Sequence, residues 1–434
     1  MSFNTYFYGV NPLISLKMKQ YALYLYSAFV FSTLVLYGNL SINSLSNSQD
    51  KTQVNDQDNL NKSGMKFFVH HSKMNSKYSE IGSGVFRNKF IVVSSKKIGG
   101  LGNGVDERTN QPYTELFCMD LDGYGTLSNP LLYSRIINTK NNEGLIAFTP
   151  DQQTMYFTRA MRETSNNYQL YKTRLQTNSA GNWIDQEKLA ISSPNYSIES
   201  PHVSADGKTL YFASNMGGTV GGFDIYSAEI LSDGTLGQPH NLGPNVNTAQ
   251  NEKYPYTSPD GESLYFSSEG HNSIGGYDVF VSAIKESYLG TPRHLGTDIN
   301  STSNDISFKF IQEDKGFISS DREGSIGSFD IFRFKSQIVY QDIKGLIVDN
   351  TNAPIPNANI FLMDGEDNII ERQITGSDSG YKFKIQAYGD YKLKVMKFGF
   401  EPLVFDINAT ESNGGLITEN LELVSNGATS VTDN

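Results

Sequence analysis

The chain has 434 residues, 38% of them apolar, with 25 Tyr, 26 Phe and a formal charge of −11. That is material for two sizeable cores, and the negative balance argues against non-specific binding to nucleic acid or anionic membrane surfaces, which needs clustered Lys and Arg. The lone Cys118 excludes an internal disulfide and a Cys-rich metal site, and its place after Phe117 reads as a small buried hydrophobe.

Residues 1–40 come first in chain order. Lys17 and Lys19 precede an uncharged run from Tyr21 to Tyr37, the layout of an export signal or of an uncleaved N-terminal membrane anchor. The run is short for a hydrocarbon core of about 30 Å, and the flank offers only Gly38 as a small residue for cleavage. No Cys directly follows it to accept a lipid. Residues 41–65 are a polar linker.

From 66 to 338 one unit recurs. Each copy opens on an Asn, four or three polar residues and an acid: Asn75 to Glu80, Asn138 to Glu143, Asn195 to Glu199, Asn247 to Glu252 and Asn300 to Asp305. A second phrase follows, clearest as SADGKTLYFAS (204–214) and SPDGESLYFSS (258–268), then a third, GGFDIY (221–226), GGYDVF (275–280) and GSFDIF (327–332). Asp151, Asp206, Asp260 and Asp314 hold the register at steps of 54 or 55 residues. Short strands at that period, turned by Asp-Gly, are the signature of propeller blades. Asp-Gly suits a two-residue hairpin with positive φ at both central positions. The last copy lacks a fourth strand, whereas Phe67 to Met74 precedes Asn75 as a fourth strand would. Closure of the ring by the two ends follows, giving five blades, or six if a diverged unit lies within Gly99 to Pro112.

Residues 339–425 change pattern. Short alternating runs such as GLIVD, NANIFLMD, YKFKI and YKLKV, separated by Pro, Gly, Asn and Asp, predict a small antiparallel β-sandwich. Residues 426–434 are a polar tail. The fold class is all-β: a propeller followed by a small sandwich.

Two sets of polar residues recur with the repeat. Aligned third strands stack Glu115, Gln169, Asp224, Asp278 and Asp330 in one slot. Converging on the axis they would form a polar or cation site with oxygen ligands; alternatively each accepts backbone N–H groups at the start of its strand. Glu80, Glu143, Glu199, Glu252 and Asp305 stand before the innermost strand and, with their Asn partners, fix the blade junctions through side-chain to backbone bonds or, on the other reading, bind substrate. His240 and His294 occupy related places one repeat apart, while His202 is positioned to face the channel. Trp183 either packs an outer strand or stacks on a ligand. No G-x-S-x-G, H-E-x-x-H or phosphate-cradling loop is present, so neither a catalytic set nor a cofactor is expected.

The repeats S-x-D-G-x-x-L-Y-F-x-S and G-G-x-D-[IV]-[YF] resemble the WD-repeat-like blades of periplasmic TolB and, through NVNTAQNEKYPYTSPDGESLYFSSEGHNSIGGYDVF, the propeller region of OmpA-family envelope proteins of Bacteroidetes-type bacteria. GLIVD, APIPNANIFL, TGSDSGYKFKI and YKLKVMKFGF resemble the carboxypeptidase regulatory-like, transthyretin-like sandwich. The resemblance implies a non-enzymatic exported protein, periplasmic or associated with the outer membrane, whose propeller face binds envelope proteins in biogenesis, secretion or gliding assemblies. The OmpA-like domain of that group has no counterpart in this sequence, so peptidoglycan binding is not carried over. The alternative is a propeller that binds a glycan or peptide in its central channel, with lectin or hydrolase activity.

Overall fold

In the computed structural model, residues 60–96, 105–106, 110–160, 167–285, 288–409 and 416–427 are described. They belong to one compact unit, 54–434, and every regular element among them is a strand. The N-terminal run Tyr21 to Tyr37 lies outside the described residues.

Five four-stranded antiparallel sheets follow one another round a ring. Blade 1 takes strands Glu80–Phe86, Lys89–Ser94, Glu115–Leu121 and Leu127–Leu132; blade 2 Asn142–Phe148, Thr154–Ala160, Tyr168–Leu175 and Trp183–Lys188. Blade 3 is Ile198–Val203, Thr209–Ser214, Asp224–Glu229 and His240–Asn241; blade 4 Glu252–Thr257, Ser263–Ser268, Asp278–Ala283 and Arg293–His294. Blade 5 has Asp305–Gln312, Lys315–Ser320 and Asp330–Ile338, and its fourth strand is Met65–His71, paired from Met65↔Ile338 to His71↔Phe332. The two ends of the repeat region therefore share a sheet, and no edge is left for another chain to pair with at the seam. Within the Gly99–Pro112 insert the described part is a two-residue ladder, Val105–Asp106 against Gln111–Pro112.

Second strands are buried on both faces because each blade is packed between two others. In Thr209–Ser214, Leu210 and Phe212 are fully buried and pack with Tyr156 of blade 2; Tyr265 of blade 4 lies 5.0 Å, ring to ring, from Phe308 of blade 5. Trp183 is fully buried, its indole N–H 2.7 Å from the Tyr133 hydroxyl of blade 1 and its ring against Phe86 and Phe148. It ties two blades together.

The Asp-Gly turns differ from the expected two-residue type. Only the glycines have positive φ, Gly207 at +75° and Gly261 at +78°. The Gly207 amide closes on the Ser204 carbonyl (2.9 Å), while Asp206 accepts the Ser204 hydroxyl and the Lys208 amide. The longer loop leaves Asp an ordinary conformation and uses its carboxylate to hold the turn, which two-residue turn chemistry does not require.

The sandwich stacks Gly380–Gln386, Tyr340–Val348, Leu416–Thr418 and Leu421–Glu422 on Ile369–Ile374, Asn359–Asp364, Asp390–Met396 and Leu403–Asn408. Ile343, Ile347, Ile360, Leu362, Phe383, Leu393 and Val395 fill its core at 0–1% exposure. Only Val339 separates the propeller from this module. Its N–H reaches the Gly64 carbonyl and its carbonyl accepts the Ala387 N–H, both at 2.9 Å. Arg293 of blade 4 donates to the Tyr388 carbonyl and Lys285 meets Glu366 at 3.5 Å.

Candidate functional site

In an antiparallel four-stranded blade, the loops between second and third strands share one face of the ring with the connections between blades. The polar repeats concentrate there. Four junctions have one construction. The Asn makes two bonds to a single residue of the preceding third strand: Asn75 to Ile331, Asn138 to Leu116, Asn247 to Ile225 and Asn300 to Val279, all between 2.7 and 3.0 Å. The acid then accepts the amide of the residue after that Asn. Glu80 takes the Ser76 N–H and hydroxyl, Glu143 those of Thr139, Glu252 those of Thr248, and Asp305 the Ser301 N–H. The acid's own N–H donates to the residue just before the previous blade's third strand, as Glu252 does to the Phe223 carbonyl at 2.7 Å. All four acids are at most 2% exposed. Burial raises the Glu80 carboxyl to about 7 against the pull of the Ser76 bonds. Glu143 is neutralised by Arg159 at 2.8 Å and Asp305 by Arg322 at 2.6 Å.

The fifth copy departs from this expectation. Ladder pairing aligns Ile198, opposite Ser214, with Glu252, opposite Ser268. Glu199 is thus one residue past the slot and opposite in direction. It is not a junction acid: it meets Lys253 Nζ of blade 4 at 2.9 Å. Asn195 is displaced likewise, and Ser192 instead binds the Leu170 amide and carbonyl. The signal was present in the sequence, since this copy alone has three residues between Asn and acid.

The third-strand set does not converge on the axis. First strands line the channel, and the second strand stands between them and the third. Asp224 accepts the Val220 and Gly221 amides, Asp330 those of Ile326 and Gly327, and Asp278 that of Ile274. The fourth strand adds Asn241 on Asp224, His71 on Asp330 at 2.7 Å and His294 on Asp278 at 3.0 Å, leaving the buried Asp278 Oδ1 without a partner. Gln169 donates to the Ser193 carbonyl in blade 2, and Glu115 holds the slot in blade 1. The axial cation arrangement is therefore not formed, and among the described residues no group of three His, Cys, Asp or Glu is placed to hold a metal. The histidine equivalent to His294 is His71, opposite Phe332; His240 pairs with Ser227, one place away.

Each innermost strand breaks register within three residues of its acid slot, and Ser200, Tyr254 and Ser307 sit in those bulges at φ of +53°, +58° and +54°. The cavity they enclose with Ser83, Leu145, Pro201, Pro255 and Lys309 is about 10 Å³, room for a single water. Lys309 donates across the seam to the Ser83 carbonyl, and burial lowers its ammonium to about 8. His202 packs edge-on against Tyr256, 5.1 Å between ring centres, and its Nε2 accepts the Thr257 N–H at 2.9 Å. Burial, with Lys309 nearby, pushes its pKa down to about 3, so it is a neutral strut between blades.

Residues 342–422 match the carboxypeptidase regulatory-like domain family. The chain joins a β-propeller to a carboxypeptidase regulatory-like sandwich. Among solved structures it is similar to a putative TolB from Agrobacterium tumefaciens, at 13% identity over 62% of this chain and 77% of that one, with a TM-score of 0.34. It is also similar to TolB from Acinetobacter baumannii, at 17% identity over 58% of this chain, with a TM-score of 0.31. The chain spans about half of the Acinetobacter protein, 52% of its length. Hydrazine synthase of Kuenenia stuttgartiensis is a third, at 9% identity over 79% of this chain and 62% of that one, TM-score 0.36. No curated protein sequence matches the chain.

Proposed function

We propose that this protein is a non-enzymatic scaffold of the cell envelope whose propeller binds a protein partner through the face carrying the loops between second and third strands. The observation that carries the reading is a row of aliphatic side chains at equivalent loop tips. Val220 is 50% and Ile326 60% exposed, with Ile274 half-buried between them. Each amide is pinned at 2.6–2.7 Å by its blade's Asp. Loops held from below present apolar side chains with little entropy left to lose, which favours association. The opposite face is partly taken, because the sandwich meets blade 4 at Lys285, in the loop between third and fourth strands. Export rests on the Lys17, Lys19 and Tyr21–Tyr37 pattern.

The test is capture of partners from envelope extracts by the purified chain. Val220→Asp with Ile326→Asp, both solvent-facing, should leave the melting temperature within a few degrees and abolish recovery of the partner. Equal recovery by the double variant would remove this face from the account.

A further inference from the structure

Blades 3 and 4 break the repeat at one place. The slot just past the junction acid holds Ile81, Gly144 and Ile306 in blades 1, 2 and 5, but Glu199 and Lys253 in blades 3 and 4. Blade 3 forgoes its junction acid, placing Ile198 in that slot, and carries the carboxylate one residue on. The ion pair spans the blades at 2.9 Å, with Lys253 Nζ 3.6 Å from the centre of the Phe223 ring. The next residue of blade 4 is Tyr254, at φ +58° where the equivalent bulge positions in blades 3 and 5 carry Ser. A bulky side chain at positive φ is costly and is retained where the surroundings or function require it. Its ring meets Tyr277 edge-on at 6.2 Å. No hydrogen bond holds either phenol among the described residues, and both residues are part-buried. Burial raises both above the ordinary phenol range, so they remain neutral donors.

We propose that this mouth, formed by Glu199, Phe223, Lys253, Tyr254 and Tyr277, binds an uncharged saccharide. The ion pair is self-neutralised, and the other carboxylates near Tyr277, Glu252 and Glu269, are held by Thr248, Ser268 and Asn251, so an anion is repelled and a cation finds no free carboxylate to offset its lost hydration. The adjoining loops 215–223 and 243–251 contain no charged residue. A polyol can add hydrogen bonds to a carboxylate, an ammonium and two phenols without parting the pair, and its apolar ring face suits aromatic side chains. A peptide bound by strand addition needs free backbone groups, whereas the loop amides here are taken by Asp224, Asp278 and the Asn side chains.

The site differs from the aliphatic tips, so the two proposals fail separately. Neutral tetrasaccharides (cellotetraose, maltotetraose, tetra-N-acetylchitotetraose) and a wider array of neutral glycans are titrated against the full chain by calorimetry and ligand-observed NMR. An uncharged decapeptide serves as the competing probe. Tyr254→Ser restores the residue its equivalents carry and is expected to keep the fold. It should weaken saccharide binding at least tenfold, as should Glu199→Gln with Lys253→Met, while Lys208→Ala, in a turn of the opposite face, leaves it unchanged. No binding across the array, or saccharide binding unaffected by Tyr254→Ser, overturns the proposal. Binding of the decapeptide alone, lost in Tyr254→Ser, overturns it in favour of a peptide site.

Discussion

Replacing Glu80 with Gln should stabilise the propeller at alkaline pH relative to the parent and not at acidic pH. The carboxyl is 2% exposed, and burial lifts it from its ordinary value of 4.5 to about 7. Between those values the folded protein holds a proton that the unfolded chain has released. Glu80 therefore contributes stability that is complete below pH 4.5 and is lost as pH rises through about 7. The displacement corresponds to about 3 kcal/mol; with screening at a junction close to solvent, about 1 to 2 kcal/mol is expected to survive. Gln offers one acceptor oxygen where Glu80 uses two for the Ser76 amide and hydroxyl, a loss that is the same at every pH, and it has no proton to lose. Urea unfolding of both proteins at pH 5 and pH 8 reads the effect directly. Their difference in unfolding free energy should move by that amount in favour of Glu80→Gln at the higher pH. A constant difference, or one moving toward the parent, refutes the argument.

Asn247→Ala should cost about 2 kcal/mol, because it orphans the buried Ile225 amide and carbonyl. Asn195→Ala, where Ser192 does that work, should fall within about 0.5 kcal/mol of the parent; chemical denaturation separates the two. Gly64→Ala should loosen the joint between propeller and sandwich, since Gly64 has φ +73° and a Cβ would lie 2.2 Å from the Ala387 carbonyl oxygen. Limited proteolysis should then cut near Val339 at protease levels that leave the parent intact.

The architecture was legible because its determinants are local and repeated. Alternating apolar residues, Asp-Gly and Gly-Gly turns at a fixed step, and a spare strand before Asn75 dictate blades and their closure. The functional geometry was less so. Stacking Asp224, Asp278 and Asp330 by alignment is correct, but only the order of strands within a blade tells that a third strand lies away from the axis. Glu199 was misplaced because a strand's side chains alternate, so a slip of one residue turns a buried cap into an ion-pair partner of the next blade's Lys253. The bulges that aim Tyr254 have no sequence mark, since Ser200 and Ser307 adopt the same backbone without the aromatic ring. Turn chemistry misled at Asp206, where a carboxylate that holds a longer loop was read as a residue of a two-residue hairpin.

The central claim is that the face bearing Val220, Ile274 and Ile326 docks a protein in the cell envelope. A photo-crosslinking amino acid placed at Ile326, and separately at Lys208 in the turn of the opposite face, is the most direct measurement in the native cells. The account predicts a discrete envelope-protein adduct from position 326 and none from 208. Adducts of equal yield from both positions, or from 208 alone, would contradict it.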